Sequence, residues 1–213
     1  GAVNCVDAQA NTGGGGGGSG FVSNTNGRAA NGGSGIVIIK YLAIYETSLT
    51  PTSGGSSGGS YFNTYSYRQI YYYNNTLQTF NVPSSVSSIN VLCWGAGGGS
   101  GGRFIVQAGG DGGFVKATLY TSNITSLKVV VGQGGRRGIY GNAGTTFGGG
   151  GNTAGDYENG SGGGLSGIFK DDTLMYMTSN NNNFVNSNAT AIIIAGGGGG
   201  QGSINGTNTS FAG

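Results

Sequence analysis

Apolar and polar positions alternate at a spacing of two over several short stretches of this chain, and no apolar stripe persists at the helical spacing of about 3.6 residues. The stretches SGIVIIKYLAIY (34–45), YFNTYSYRQIYYY (61–73), TLQTFNV (76–82), SSINVLCW (87–94), GFVKATLY (113–120), SLKVVV (126–131), LMYM (174–177) and TAIIIA (190–195) predict strands. Ile89, Val91 and Cys93 share one face, as do Val115, Ala117 and Leu119, and Leu127, Val129 and Val131. That is the pattern of strands buried on one side. Strong helix formers are scarce against Gly, Asn, Ser and Thr, so the expected fold is all-β, an antiparallel β-sandwich.

Glycine runs separate these strands at 13–18, 97–99, 148–151, 162–164 and 196–200. Each glycine costs about 0.5–1 kcal/mol relative to alanine when fixed in regular structure, and the chain has 50 of them. The runs are therefore either mobile linkers or bare backbones packed closely enough to satisfy each other's N–H and C=O groups. Extended left-handed threefold helices suit the second case, because they have no internal hydrogen bonds and point their polar groups outward. Such a bundle would cap the sandwich. Trp94 then ends a strand as a large apolar plate where the backbone departs at Gly95, and is the expected structural joint. An ordinary core tryptophan before a loose loop is the alternative.

TSGGSSGGS (52–60), after Pro51, has linker composition. The segment from ANTGGGGGGSG to ANGGSG near the start echoes IAGGGGGQGSINGTNTSFAG at the end, a glycine run followed by a polar stretch returning to glycine. The expected organisation is a C-terminal part of a preceding glycine-rich unit over 1–45, a Ser/Gly-rich linker over 46–60, and a glycine-rich β-sandwich domain over 61–213 whose closing strand is missing or supplied by 34–45. The chain opens at Gly1 without a methionine, as expected of a processed or larger protein.

Composition narrows the chemistry. Glycine and proline together reach 52 of 213 residues (50 and 2), near the level of low-complexity disorder. Disorder, however, goes with high net charge and few aromatics, and here the net charge is +2 with 12 Tyr, 9 Phe and 1 Trp. An ordered, nearly neutral fold is expected. Nine basic against seven acidic residues leave no electrostatic footprint for nucleic acid, and no apolar run is long enough to span a membrane. Cys5 and Cys93, without any histidine, do not make an ordinary zinc site; two free thiols are favoured over a disulfide. The absence of histidine also removes the usual general base.

Gly97, Gly99 and Gly102 formally fit G-x-G-x-x-G, but neither a helix nor the acidic partner follows, so no cofactor is expected. Asp156 and Glu158 could share a strand face as glycosidase carboxylates do, although AGDYENG reads as a solvated loop; Asp171 and Asp172 would point to opposite faces. Calcium at Asp111 or Asp156 is a weak alternative, and no metal or catalytic residue is assigned. Asn-x-Ser/Thr acceptors are expected by chance in so polar a chain. The most suggestive feature is the row Tyr61, Tyr65, Tyr67, Tyr71 and Tyr73, on one face with Asn63 and Gln69. Tyrosine joins an apolar body to a polar tip, so this row is the candidate glycan or subunit contact; a strand that covers the sandwich or makes an oligomer contact is the preferred reading over sugar stacking.

FNVPSSVSSINVLCWGAGGGSGG (80–102), GGFVKATLY (112–120), LKVVVGQGG (127–135) and AIIIAGGGGGQG (191–202) resemble the glycine-rich domain of phage tail fibres and of surface proteins of large DNA viruses. Phe80, Val82 and Pro83 match its F-x-V-P element, residues 94–99 its W-G-A-G-G-G element and residues 129–135 its V-x-V-G-x-G-G element; NGGSGIVIIKY (31–41) is similar to its closing segment. The resemblance implies a jelly-roll-like sandwich with a polyglycine II helix bundle, in a non-enzymatic structural protein of a virion surface appendage. Host attachment by glycan binding, contact with other virion proteins and self-association as a homotrimer are implied with it. A minor capsid or vertex assembly protein, and a secreted cellular adhesin or ligand-binding ectodomain, are the alternatives. Polyglycine helices also accompany the ligand-binding β-domain of a small group of receptor tyrosine kinases, from which this chain departs by its few cysteines.

Overall fold

A computed structural model of the chain describes residues 5–17, 29–48, 60–101, 108–138, 144–152, 159–170 and 190–201, with the side chains of 47, 48, 60 and 61 excepted. Among them are eight strands and no helix. These are β1 (Ile36–Ser48), β2 (Ser60–Tyr72), β3 (Gln78–Asn81), β4 (Ser88–Trp94), β5 (Phe114–Tyr120), β6 (Ser126–Val130), β7 (Ser166–Lys170) and β8 (Ala191–Ala195). They form two four-stranded sheets, ordered β2-β1-β4-β5 and β3-β6-β7-β8, with every pairing antiparallel. β1 lies between β2 and β4, so the 34–45 segment supplies a strand to the same sheet as β4 and β5.

One apolar core joins the sheets: Val37 and Ile39 of β1, Ile89, Val91 and Cys93 of β4, and Leu127 and Val129 of β6 are fully buried, as is Ile168 of β7. Their period-two spacing aims them at one face of each strand. Val115, Ala117 and Leu119 of β5 pack on its margin. A second cluster of Val130, Phe147 and Phe169 covers the other side of β6 and β7. The expected strand at 174–177 lies outside the described residues. The sequence pattern does not announce β7, because Ser166 and Gly167 at its start extend a glycine run and mask the short apolar patch that follows.

The described glycine segments outside the sheets are bonded backbone to backbone, and their hydrogen bonds follow a rule. Segment 95–101 bonds to six others: 13–17, 29–35, 108–113, 131–138, 160–165 and 196–201. Its donors step round in threes. The amides of Gly95 and Gly98 donate to Gly113 and Gly110, those of Ala96 and Gly99 to Gly164 and Ser161, and those of Gly97 and Ser100 to Gly33 and Ala30, at 2.8–3.0 Å. Its acceptors do the same. The carbonyls of Ala96 and Gly99 accept from Gly198 and Gln201, those of Gly97 and Ser100 from Gly135 and Gly138, and that of Gly98 from Gly16. A β-strand has neighbours on two sides only.

The six outer segments also close on one another. Gly33 donates to Gly14, Gly32 to Gly135, Gly164 to Gln133, Gly163 to Gly198, Gly110 to Gly199 and Gly109 to Gly16, which completes the ring. Glycine is demanded here by proximity rather than by an unusual φ. A Cβ on Gly97, Gly98 or Gly109 would overlap the backbone carbonyl of Gly14, Gly199 or Gly98 respectively. Where the geometry leaves room the chain uses it: Ala96 and Ala30 are fully buried within the ring, and the buried Ser100 hydroxyl accepts from the Ala30 amide at 2.7 Å.

Candidate functional site

β1 and β2 pair over thirteen residues, from Ile36 with Tyr72 to Ser48 with Ser60. β4, however, pairs with β1 only from Ile36 to Tyr41. Beyond Tyr41 the two strands run on as a two-stranded arm, with β2 as the outer edge of the sheet. Both faces of the arm carry large apolar groups. Leu42, Ile44 and Phe62 are exposed on one, and Tyr45, Tyr65 and Tyr67 on the other.

The tyrosine row divides along the strand. Tyr65 and Tyr67, 50% and 38% exposed, stand on the arm. They are joined there by two tyrosines of β1: Tyr41 stacks on Tyr67 with centroids 5.3 Å apart, and Tyr45 meets Tyr65 edge-on at 5.9 Å. A hydrogen bond donated by the Tyr67 hydroxyl to Tyr45 is the main cause that raises that hydroxyl above its ordinary value, burial and the neighbouring phenols adding to it. The result is a plate of four rings with hydroxyl tips, of which sequence periodicity identified only the β2 half. The cross-strand register that adds Tyr41 and Tyr45 requires knowing that β1 and β2 are partners.

Tyr71 has a different fate. It lies where the second sheet covers the first, is 5% exposed, and belongs to the core rather than to any contact surface. Burial pushes its hydroxyl up to about 12, the Tyr41 phenol adding to the effect. Tyr73 follows β2, packs against Phe147 at 5.9 Å and faces a groove of about 380 Å³ shared with Asp7, Asn31, Gln133 and Arg136. The backbone of Tyr61 is in β2; its side chain is outside the described residues.

Trp94 ends β4, and the next residue opens the central glycine segment. Its ring is half-buried and lies 4.5 Å from that of Phe114 on the neighbouring strand, on the face opposite the core that Cys93 enters. Asp111 caps the ring: its Oδ1 accepts from the Gly15 amide at 2.6 Å. Asp156, Glu158, Asp171 and Asp172 lie outside the described residues. Both cysteines are unpaired thiols, Cys93 buried and Cys5 half-buried. Gly97 and Gly99 of the formal nucleotide fingerprint are the middle of the central segment, with their amides already bonded to Gly33 and Ser161.

A family model described as a glycine-rich domain matches residues 1–42 and 73–213. Residues 43–72, which hold the outer arm, fall outside the match. No curated protein and no solved structure matches this chain.

Proposed function

The chain belongs to the glycine-rich domain family, and on that premise we propose that it is a structural module of a virion surface appendage in which a jelly-roll-like sandwich is held by a bundle of polyglycine II helices. The observation that carries the proposal is the ring of six segments around residues 95–101. A polyglycine II helix has three residues per turn and no internal hydrogen bonds, so successive amides point in three directions, and donors at 95/98, 96/99 and 97/100 fit that symmetry. Backbones cross-bonded in this way make a stiff body without a large core, which suits an appendage that must hold its shape outside a cell. The chemistry of the surface fits adhesion: low charge, many amides, and a tyrosine plate at Tyr41, Tyr45, Tyr65 and Tyr67.

The plate is the proposed contact for a host-surface glycan, since phenol rings stack on the apolar face of a sugar while their hydroxyls meet its polar rim. Other virion proteins and further copies of the chain are the remaining proposed partners. Screening the isolated protein against a glycan array, beside Tyr65→Ala and Tyr67→Ala, tests this. Binding that falls at least about tenfold in both variants, equal to about 1.4 kcal/mol, supports attachment; the absence of any bound glycan removes the receptor role and leaves an assembly protein.

A further inference from the structure

Among the described residues β2 is an edge strand with few of the devices that keep edges apart. Natural edges are shortened, bulged, or interrupted by lysine or proline. β2 is thirteen residues long, is paired with β1 without a register break, and holds one charged residue, Arg68, and no proline. Its outer half is half of a ribbon, and an isolated two-stranded ribbon is at best marginally stable in water.

The charges on the arm are self-complementary. On the face opposite the tyrosines, Lys40 and Arg68 stand side by side at the base, and Glu46 stands beside Phe62 six residues further along, with Leu42 and Ile44 between. We propose that β2 pairs edge to edge with β2 of a second copy, antiparallel, with the two-fold axis at Tyr65. Only that register sets Arg68 opposite the partner's Phe62 and in one row with the partner's Glu46, so the row reads Lys40, Arg68, then the partner's Phe62 and the partner's Glu46. The symmetry repeats the row on the other side. With neighbouring strands about 4.8 Å apart, the guanidinium lies across the phenyl ring and reaches the carboxylate. On the opposite face the two tyrosine plates join into one, whether or not that plate binds a glycan.

Sedimentation of the full chain over roughly 1–100 µM, a range that brackets ordinary reversible dimers, tests the pairing. The expected species is a dimer. Arg68→Glu and Glu46→Arg each set like charges in the shared row and weaken the dimer by about tenfold or more. Mixing these two variants restores it, because a mixed pair carries opposite charges in both rows. Both positions of this test, Arg68 and Glu46, lie at exposed side chains, and protection of Cys93 from alkylation confirms that each variant is folded. A second measurement does not depend on charge: Tyr65→Cys in a Cys5→Ala background forms a disulfide-linked dimer on mild oxidation, and Thr79→Cys on the other sheet does not. A monomer or a trimer at all concentrations, or a dimer that neither reversal weakens and that Tyr65→Cys does not trap, overturns the proposal.

Discussion

At the level of single residues, the glycines differ sharply in what they tolerate. Gly98 is buried, and a Cβ there would overlap the carbonyl of Gly199, a backbone atom that cannot swing aside. Gly98→Ala is expected to cost about 3 kcal/mol, the upper end for overpacking, and to lower Tm by about 6–12 °C at this chain length. Gly196 has nothing within 4 Å of its virtual Cβ and no left-handed φ. Gly196→Ala should therefore be neutral or gain about 0.4–1 kcal/mol by restricting the unfolded chain. Denaturant titration of the pair separates a close-packed ring, which makes them unlike, from loose linkers, which make them alike. Ser100 gives a polar counterpart. It is fully buried and accepts from the Ala30 amide, so Ser100→Ala strands that donor and should cost about 1–3 kcal/mol in the same titration.

Cys93 and Tyr71 set the alkaline limit. Burial raises the Cys93 thiol to about 12 from an ordinary 9.0, and raises Tyr71 to about 12 from 10.0. Both groups are held neutral in the folded chain while the unfolded chain ionises first. Their contribution is intact below about pH 9 and is lost progressively towards pH 12. Unfolding midpoints measured from pH 8 to 11 should fall with rising pH, and Cys93→Ala should flatten part of that fall. A thiol reagent at pH 8 should label Cys5 in the folded protein and Cys93 only after unfolding.

Among the elements, strands with clean alternation were legible. Ile89, Val91 and Cys93 announced β4 and its buried face, and the structure places all three in the core. β7 is not legible, since Ser166 and Gly167 carry no apolar signal although both are buried. The tyrosine row was found as one face, but its division was hidden. Tyr71 is buried and Tyr65 exposed because the second sheet ends between them, which is a matter of tertiary overlap rather than of spacing. The arm itself appeared in the sequence only as strand, then linker, then strand. Its independence predicts that replacing residues 44–64 by Asn-Gly, the preferred two-residue hairpin turn, keeps the pairing of Ala43 with Tyr65. The shortened chain should fold with Tm within about 4 °C of the parent, or about 1 kcal/mol, and should sediment as a monomer.

On the scale of the whole molecule, two sheets and a ring divide the work. The sheets bury most of the side chains, and the glycine segments, which have few, satisfy their backbones by bonding to one another, the central one to six neighbours. Residues far apart in sequence meet there, such as Gly16 with Gly98 and Gly98 with Gly110. Loss of one segment should therefore loosen every neighbour. The sequence made the need for such packing visible, because fifty glycines are too costly to order without it. Which run bonds to which was not visible, since one glycine run carries the same signal as another. Trans-hydrogen-bond scalar couplings, recorded by NMR on the labelled protein, identify each donor with its acceptor. Couplings from the amides of Gly97, Gly98 and Gly99 should lead to the carbonyls of Gly33, Gly110 and Ser161, three different segments from three successive residues. Couplings from those amides to a single neighbouring segment, or amides that exchange with solvent at the rate of an unfolded peptide, would contradict the ring and the rigid module built on it.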